Sequence, residues 1–399
     1  MMKISASLVV AAGLLALPGC KKKKEESTTQ RPEDVVVVKP TEPPKTEVKP
    51  LTGADLAEKY KLCAGNVSAG KWDEFKKDCV ADNYTGHSFG GTPELKGPDA
   101  LVEYFKTMKT GFPDWKLEPQ LTLVSGRNIL SIVLTTGTNT GPMKTPMGDM
   151  PATNKKTGQL MFHRLKLDDA NKATDEWAII DPMTLLGQLG LSPPNTPPVR
   201  PVMDKGLEGA PMLAVTADDA KEKANLETVK KSNDGFNAHK PADALALYTD
   251  DAVESDQASA ADVTGKKELE KGLTAFMKAF PDGTIVNPEM WAAGDYVVQM
   301  SKFEGTNSGD MGKMKKTGKK VSVDMVEVMH LKDAKIDHVW RFRNGMQMAI
   351  ELGLVPTPPP PAAGSAATMA PAPAAGSAAT MAPAPAGSAA PAGSAAPQK

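Results

Sequence analysis

Scarcity narrows this chain first. Its 399 residues hold three cysteines, five histidines and only 5 % aromatic side chains. Without CxxC or HExxH spacing, so thin a supply of soft ligands argues against a structural zinc site, and no metal or cofactor is expected. Charge of either sign is not in excess: Lys+Arg 47 against Asp+Glu 48 leaves a formal net charge of −1. With no basic face and no interleaved aromatics, a nucleic-acid partner is not expected. Long apolar runs are missing too. Leu8–Leu17 falls short of the roughly 20 residues a membrane-spanning helix needs.

That short run reads instead as an address. A basic start at Met1–Lys3, the apolar run and Leu17-Pro18-Gly19-Cys20 together have the layout of a signal segment. A cysteine directly after a small residue resembles a bacterial lipobox, in which Cys20 would take the lipid and become the first mature residue. An ordinary cleaved signal with an incidental cysteine is the alternative. Lys21–Lys24 would then lie at the membrane surface, where each cation near anionic headgroups adds roughly 1 kcal/mol. The expected location is the cell envelope, lipid-anchored at the periplasmic face or the outer membrane. Cys63 and Cys79 would enter an oxidising compartment where thiols tend to pair. Closing so short a loop is worth roughly 3 kcal/mol in the chain-entropy picture. Spacing alone does not show that they meet.

What is abundant is repetition. GTNTG at 137–141, KKTG at 155–158, Trp177 and QLGLSP at 188–193 are echoed by GTNSG at 305–309, KKTG at 315–318, Trp340 and ELGLVP at 351–356. Gly97/Gly265, Phe112/Phe280, Gly126/Gly294 and Gly137/Gly305 keep one constant offset of 168. The chain therefore divides into a signal segment (1–20), an extended stalk (21–50), a first domain (51–192), a Pro-rich linker (193–215), a second domain (216–356) and a Pro/Ala/Gly/Ser tail (357–399). Stalk and tail have too little to bury to form a core. Aligning the two KKTG turns gives the first copy eight extra residues, a Met/Pro/Gly-rich excursion over 142–154. Met143, Met147 and Met150 there would form an adaptable apolar rim, or simply pack.

Each copy runs from helices to strands. Apolar residues at three- and four-residue steps predict helices over 53–68, 71–80 and 98–110, the last stopped by Gly111-Phe112-Pro113-Asp114. A short strand is predicted at 82–88, period-two patterns then predict strands at 116–125, 128–138, 158–167 and 176–181, and a short helix follows at 183–191. The second copy repeats the order: helices at 217–238, 241–248 and 265–280, strands at 249–255, 284–292, 295–305, 319–331 and 335–343, and a closing helix at 346–352. Helices followed by an antiparallel meander make the class α+β.

These landmarks, with FPD after the third helix and a Trp-x3-Asp before the closing one, resemble the SnoaL-like ester and polyketide cyclases of the nuclear transport factor 2-like superfamily. The resemblance implies a cone in each copy, a curved sheet wrapped round a pocket by three helices. It also implies a pocket acid at the end of the Trp strand, assisted by histidines, for proton transfer beside a carbonyl. The first copy places His87 and Asp181 at those positions, but has Asn139 where the family's GTHxG motif has histidine. The second has Asn307 there, Asn344 in place of the acid, and Ser255 or Asp256 in place of His87. An asparagine binds a carbonyl but does not shuttle protons at neutral pH. Asn139, Trp177, Asn307, Trp340 and Asn344 are thus candidate ligand-binding residues, and Asp181 and His87 candidate catalytic ones. Asp181-Pro182 equally fits a helix cap, and His163 reads as a satisfied or exposed histidine. Arg341 and Arg343 share the face opposite Phe342, whichever face that is.

Two readings follow from the missing histidines. In the first, the chain is a membrane-anchored, non-catalytic protein that binds a small hydrophobic molecule or acts as a scaffold. In the second, the first domain alone is a cyclase-like enzyme using general acid/base catalysis. A third treats the two domains as an internal pseudo-dimer with a structural purpose.

Overall fold

The computed structural model describes residues 51–90, 94–145, 148–192 and 197–355. The signal segment with Cys20 and Lys21–Lys24, the stalk, Met147 and the tail lie outside the described residues. Among the described residues, no helix is long and apolar enough to cross a membrane.

The first domain runs α1 (Gly53–Ala69), α2 (Trp72–Cys79), β1 (Val80–Gly86), β2 (Leu95–Lys96), α3 (Gly97–Gly111), β3 (Lys116–Ser125), β4 (Asn128–Thr138), β5 (Met143–Thr145), β6 (Gly148–Met150), β7 (Lys156–Leu167), β8 (Ala173–Ile179) and α4 (Pro182–Leu189). β9 (Met212–Val215) follows the linker. Local chemistry sets the boundaries. A reciprocal Thr52–Asp55 capping box starts α1, and left-handed Gly70 ends it. Gly126, at φ 57°, makes the two-residue turn that pairs Ser125 with Asn128. The disulfide Cys63–Cys79 ties α1 to α2.

The second domain repeats this with α5 (Ala220–Asn237), α6 (Pro241–Ala244), β10 (Tyr248–Asp256), β11 (Val263–Thr264), α7 (Lys266–Ala279), β12 (Thr284–Ala293), β13 (Tyr296–Thr306), β14 (Lys320–Lys332), β15 (Lys335–Arg343) and α8 (Gly345–Glu351). The sheets are ordered β2-β1-β8-β7-β4-β3-β9 and β11-β10-β15-β14-β13-β12. In each, the first long strand returns to pair in parallel with the last. The α+β class and the cone-shaped plan are therefore present twice.

Two expectations need correcting. The end of the linker is no free spacer: Met212–Val215 adds a parallel strand to the edge of β3. The KKTG turns are also not equivalent. Thr153 N–H donates to Asn139 Oδ1 at 2.8 Å, as Thr317 N–H donates to Asn307 Oδ1 at 2.7 Å, and Asn154 and Gly318 both take positive φ. The offset thus falls from 168 to 164, an insert of four residues rather than eight. β5 and β6 pair as a small hairpin, and Met143 and Met150 are buried in the first core rather than forming a rim.

Each sheet buries both faces. The concave face of the first packs under α1–α3, with Tyr60, Phe75, Phe105 and Ile129 in its core. The opposite faces of the two sheets share one core, in which Leu130, Ile132, Phe162 and Ile179 meet Val298, Val326, Trp340 and Phe342. Arg164 crosses this seam, sandwiched 4.3 Å from the Trp177 ring centre and 4.2 Å from that of Trp291, with its charge 3.1 Å from Glu289.

Candidate functional site

Strand alternation decides which side chains enter the cones. With Trp177 and Ile179 of β8 turned to the seam, Glu176 and Ala178 face inward, beside His163 of β7. Tyr60 reaches them from α1 and Tyr84 from β1. The Tyr60 hydroxyl lies 2.8 Å from His163 Nδ1. His163 Nε2 lies 3.0 Å from Glu176 Oε1, a close approach without hydrogen-bond alignment. The Tyr84 hydroxyl donates to Glu176 Oε2 at 2.5 Å. Imidazole and carboxylate are only 14 % and 15 % exposed. With the proton on Nε2 facing the carboxylate, Nδ1 accepts from Tyr60, so phenol, imidazole and carboxylate form a line.

Burial pushes the Glu176 carboxyl up, but the His163 imidazole and the Tyr84 hydroxyl outweigh it and hold the carboxyl below its ordinary range. The phenols of Tyr60 and Tyr84 move the other way. Burial drives both well above the usual tyrosine value, with the nearby Glu176 charge adding to the effect. The rest of the cone is mostly apolar, walled by Leu56, Val67, Leu101, Val133 and Met161 with the disulfide beside them, and Lys59 and Asn171 complete its lining. Its free space is small, about 60 Å³, enough for a few waters or a few non-hydrogen atoms.

The second cone is filled differently. In the first sheet Ser131, His163 and Ala178 stand in one cross-strand row; in the second the row is Gln299, Glu327 and Arg341. Glu176 opposite Gly86 is replaced by Val339 opposite Glu254. Arg341 lies 2.6 Å from Glu254 and 2.8 Å from Glu327, and Gln299 bonds both Asn233 and Glu327. Arg341 and Arg343 are thus on the concave face, and Arg343 pairs with Asp256 at 2.9 Å.

The residues expected from the sequence take other places. Asp181 is the N-cap of α4: Oδ2 accepts from Thr184 N–H at 2.8 Å and its hydroxyl at 2.7 Å. Oδ1 accepts from Gly345 N–H across the seam at 2.9 Å. Burial raises its pKa against the pull of these bonds, yet it does not line the first cone. His87 bonds Asp175 at 2.8 Å and stacks on Trp177. Asp181 and His87 are therefore not brought together as an acid/base pair, because the odd-numbered residues of β8 and its extension point to the seam. Asn344 is the N-cap of α8 and donates to the Gly90 carbonyl in the first domain at 2.5 Å. Trp340 packs in the seam and stacks on His338. Ser255, at the position of His87, lies 3.0 Å from His338.

Asn139 and Asn307, both fully buried, brace loops instead of facing ligand. Asn139 Nδ2 donates to the Gly111 and Gly141 carbonyls, and Asn307 Nδ2 to that of Gly309. The aspartate of each FPD completes the brace, since Asp114 accepts from Thr138 and Asp282 from Thr306 through both backbone and hydroxyl. The repeated motifs are locks between the third helix and the sheet. Sequence reasoning passed over Glu176, Tyr60 and Tyr84 and read His163 as satisfied or exposed. Facing Trp177 and Ile179 outward would have turned Glu176 inward. Among the described residues, no group of three or more His, Cys, Asp or Glu side chains is placed to hold a metal ion.

Comparison with known proteins agrees with this layout. The model of the SnoaL-like polyketide cyclase family matches residues 54–189 and again 227–352, together more than half of the chain. No curated protein matches. Among solved structures, a protein assigned as a SnoaL-like polyketide cyclase from Jannaschia sp. CCS1 is 18 % identical, with 35 % of this chain and 97 % of that one covered and a TM-score of 0.33. TsrD from Streptomyces laurentii is 13 % identical, covering 34 % and 100 %, with a TM-score of 0.32. A Catenulispora acidiphila protein with a ketosteroid isomerase-like fold, solved with trimethylamine, is 16 % identical, covering 32 % and 92 %, with a TM-score of 0.29.

Proposed function

This chain belongs to the SnoaL-like polyketide cyclase family, and from that membership we propose that its first domain binds a small, largely apolar molecule carrying one oxygen function, without turning it over. The second domain acts as its structural counterpart across the seam. The observation that carries this is the polar floor of the first cone, Tyr60–His163–Glu176–Tyr84, set under apolar walls and replaced in the second cone by an internal ion-pair cluster. A ligand hydroxyl would donate to the Tyr60 oxygen, while apolar walls take the rest.

The cyclase reading has one observation in its favour, the line from Tyr60 through His163 to Glu176, which could move a proton. Against it stand the directions of the pKa shifts. A general acid or base works best with a pKa near the operating pH, whereas its neighbours move the carboxylate down against burial, and burial moves both phenols up. Each group is also already engaged by another. Binding is the better-supported role.

Native mass spectrometry of the purified chain tests this. A small molecule should co-purify with the wild type and be lost from a variant whose cone is filled by Ala64→Phe. Tyr60→Phe should weaken its retention without the accumulation of a related, unconverted species. Appearance of a substrate-product pair that depends on Glu176 would establish the enzymatic reading instead. The Cys20 pattern supports a lipid-anchored placement in the cell envelope; loss of membrane fractionation and of a lipid mass shift in Cys20→Ala would test it.

A further inference from the structure

A cleft larger than the free space of the first cone lies where the linker crosses the seam. Its volume is about 380 Å³, within the range of small-molecule sites and at a domain junction, where such sites concentrate. The linker supplies an apolar wall of Met203, Leu207 and Met212, and β15 supplies Trp340. Three carboxylates, Glu208, Asp262 and Asp337, share the lining with a single arginine, Arg200.

The internal pairings leave this lining acidic. Arg200 is taken up by Asp262 at 2.8 Å and by the Asp256 carbonyl at 2.9 Å. Asp337 faces His330 Nδ1 at 2.6 Å. His338, whose pKa burial lowers, adds no compensating charge at neutral pH. Glu208 is exposed and has no partner among the described residues. Deeper in, Gln257 is 2 % exposed; its amide N–H donates to the Ser255 carbonyl while Oε1 has no protein partner. Arg200 Nε is also without a protein partner, but it is a donor that an ammonium does not answer. Buried polar atoms left open in this way call for water or a ligand to answer them.

We infer that this cleft binds a small organic ammonium compound. The ammonium enters past Glu208, whose charge draws it in, and an N–H serves the Gln257 acceptor after a small opening of the wall, while the hydrocarbon body lies along Met203, Leu207 and Met212. Methionine side chains suit a bed of this kind because they adapt to the shape laid on them. The site is separate from the first cone and stands whether or not that cone is occupied.

Titration calorimetry on the full chain with three near-isosteric probes tests the inference. Phenethylamine should bind at least about tenfold tighter than 2-phenylethanol, a difference of about 1.4 kcal/mol, and phenylacetate should give no saturable heat. Glu208→Gln should weaken the amine by up to about fivefold, the size of one exposed ion pair. Leu207→Trp, which fills the cleft from a partly exposed linker position, should abolish binding, and Glu176→Gln in the first cone should leave it unchanged. Equal binding of amine and alcohol, no binding of the amine, or loss in Glu176→Gln with Leu207→Trp still binding would each overturn it.

Discussion

The two cones begin from one plan and are filled in opposite ways. In the first, a row of Ser131, His163 and Ala178 leaves a small, mostly apolar cavity, and one carboxylate from β8 is held by an imidazole and a phenol. In the second, the same row carries Gln299, Glu327 and Arg341, and the second carboxylate comes from β10. Burial works against the Arg341 charge, but Glu254, Glu327 and Asp256 outweigh it and keep it protonated. A partly exposed guanidinium held between two carboxylates fills this row with groups that satisfy one another. The turns, caps and Asp–Thr locks are kept in both copies, while the interiors have diverged. Scaffold and pocket in this fold are thus separable.

Breaking the second cone should have the largest effect. Arg341→Met leaves Glu254 and Glu327 facing each other without their cation and should cost about 3 kcal/mol in denaturant unfolding, the low end for a buried pair because these groups are partly exposed. Adding Glu254→Gln and Glu327→Gln should recover most of that. If the single change is neutral, the cluster is not what fills the second cone.

Opening the Cys63–Cys79 disulfide, which only the first domain has, comes next. Cys63→Ser with Cys79→Ser should cost about 2–3 kcal/mol, as expected for so short a loop, and hydrogen exchange should rise first in α1 and α2. A smaller change follows from Asp181→Asn. The amide cannot accept from both Gly345 and Thr184, so loss of about 1–2 kcal/mol is expected, with the co-purifying ligand of the first cone retained. Loss of that ligand without loss of stability would restore Asp181 as a pocket acid.

The subtlest contrast is with pH. Because the folded Glu176 carboxyl holds its proton less tightly than the unfolded one, its contribution to stability is in place above the ordinary glutamate value of 4.5 and fades as pH falls through the lower folded value. A stability profile from pH 6 to 3 should therefore be shallower in Glu176→Gln than in the wild type. Equal slopes would mean that the first cone does not hold an ionised carboxylate.

Much of this was legible in the residues. Periodicity placed the helices and the long strands, because amphipathic helices and alternating strands each leave their own spacing, whereas the short strands β2, β5, β6, β9 and β11 left none. The duplication was legible because glycines at turns and the FPD and GTN locks tolerate little change. The KKTG alignment misled because two similar turns lie four residues apart. The candidate site was not legible: Tyr60, Tyr84, His163 and Glu176 come from α1, β1, β7 and β8, and no local spacing joins them.

The sequence by itself determined the element order, the two copies, the helix caps and the residue types available to each face. Only the tertiary structure decided which face of each strand became pocket and which became seam. In a one-sided sheet polar and apolar alternation answers that question. Here the concave face is covered by helices and the convex face by the other domain, so both are buried and alternation loses its sign. That assignment sent Asp181, Trp177 and Trp340 to the seam and turned Glu176 into the first cone.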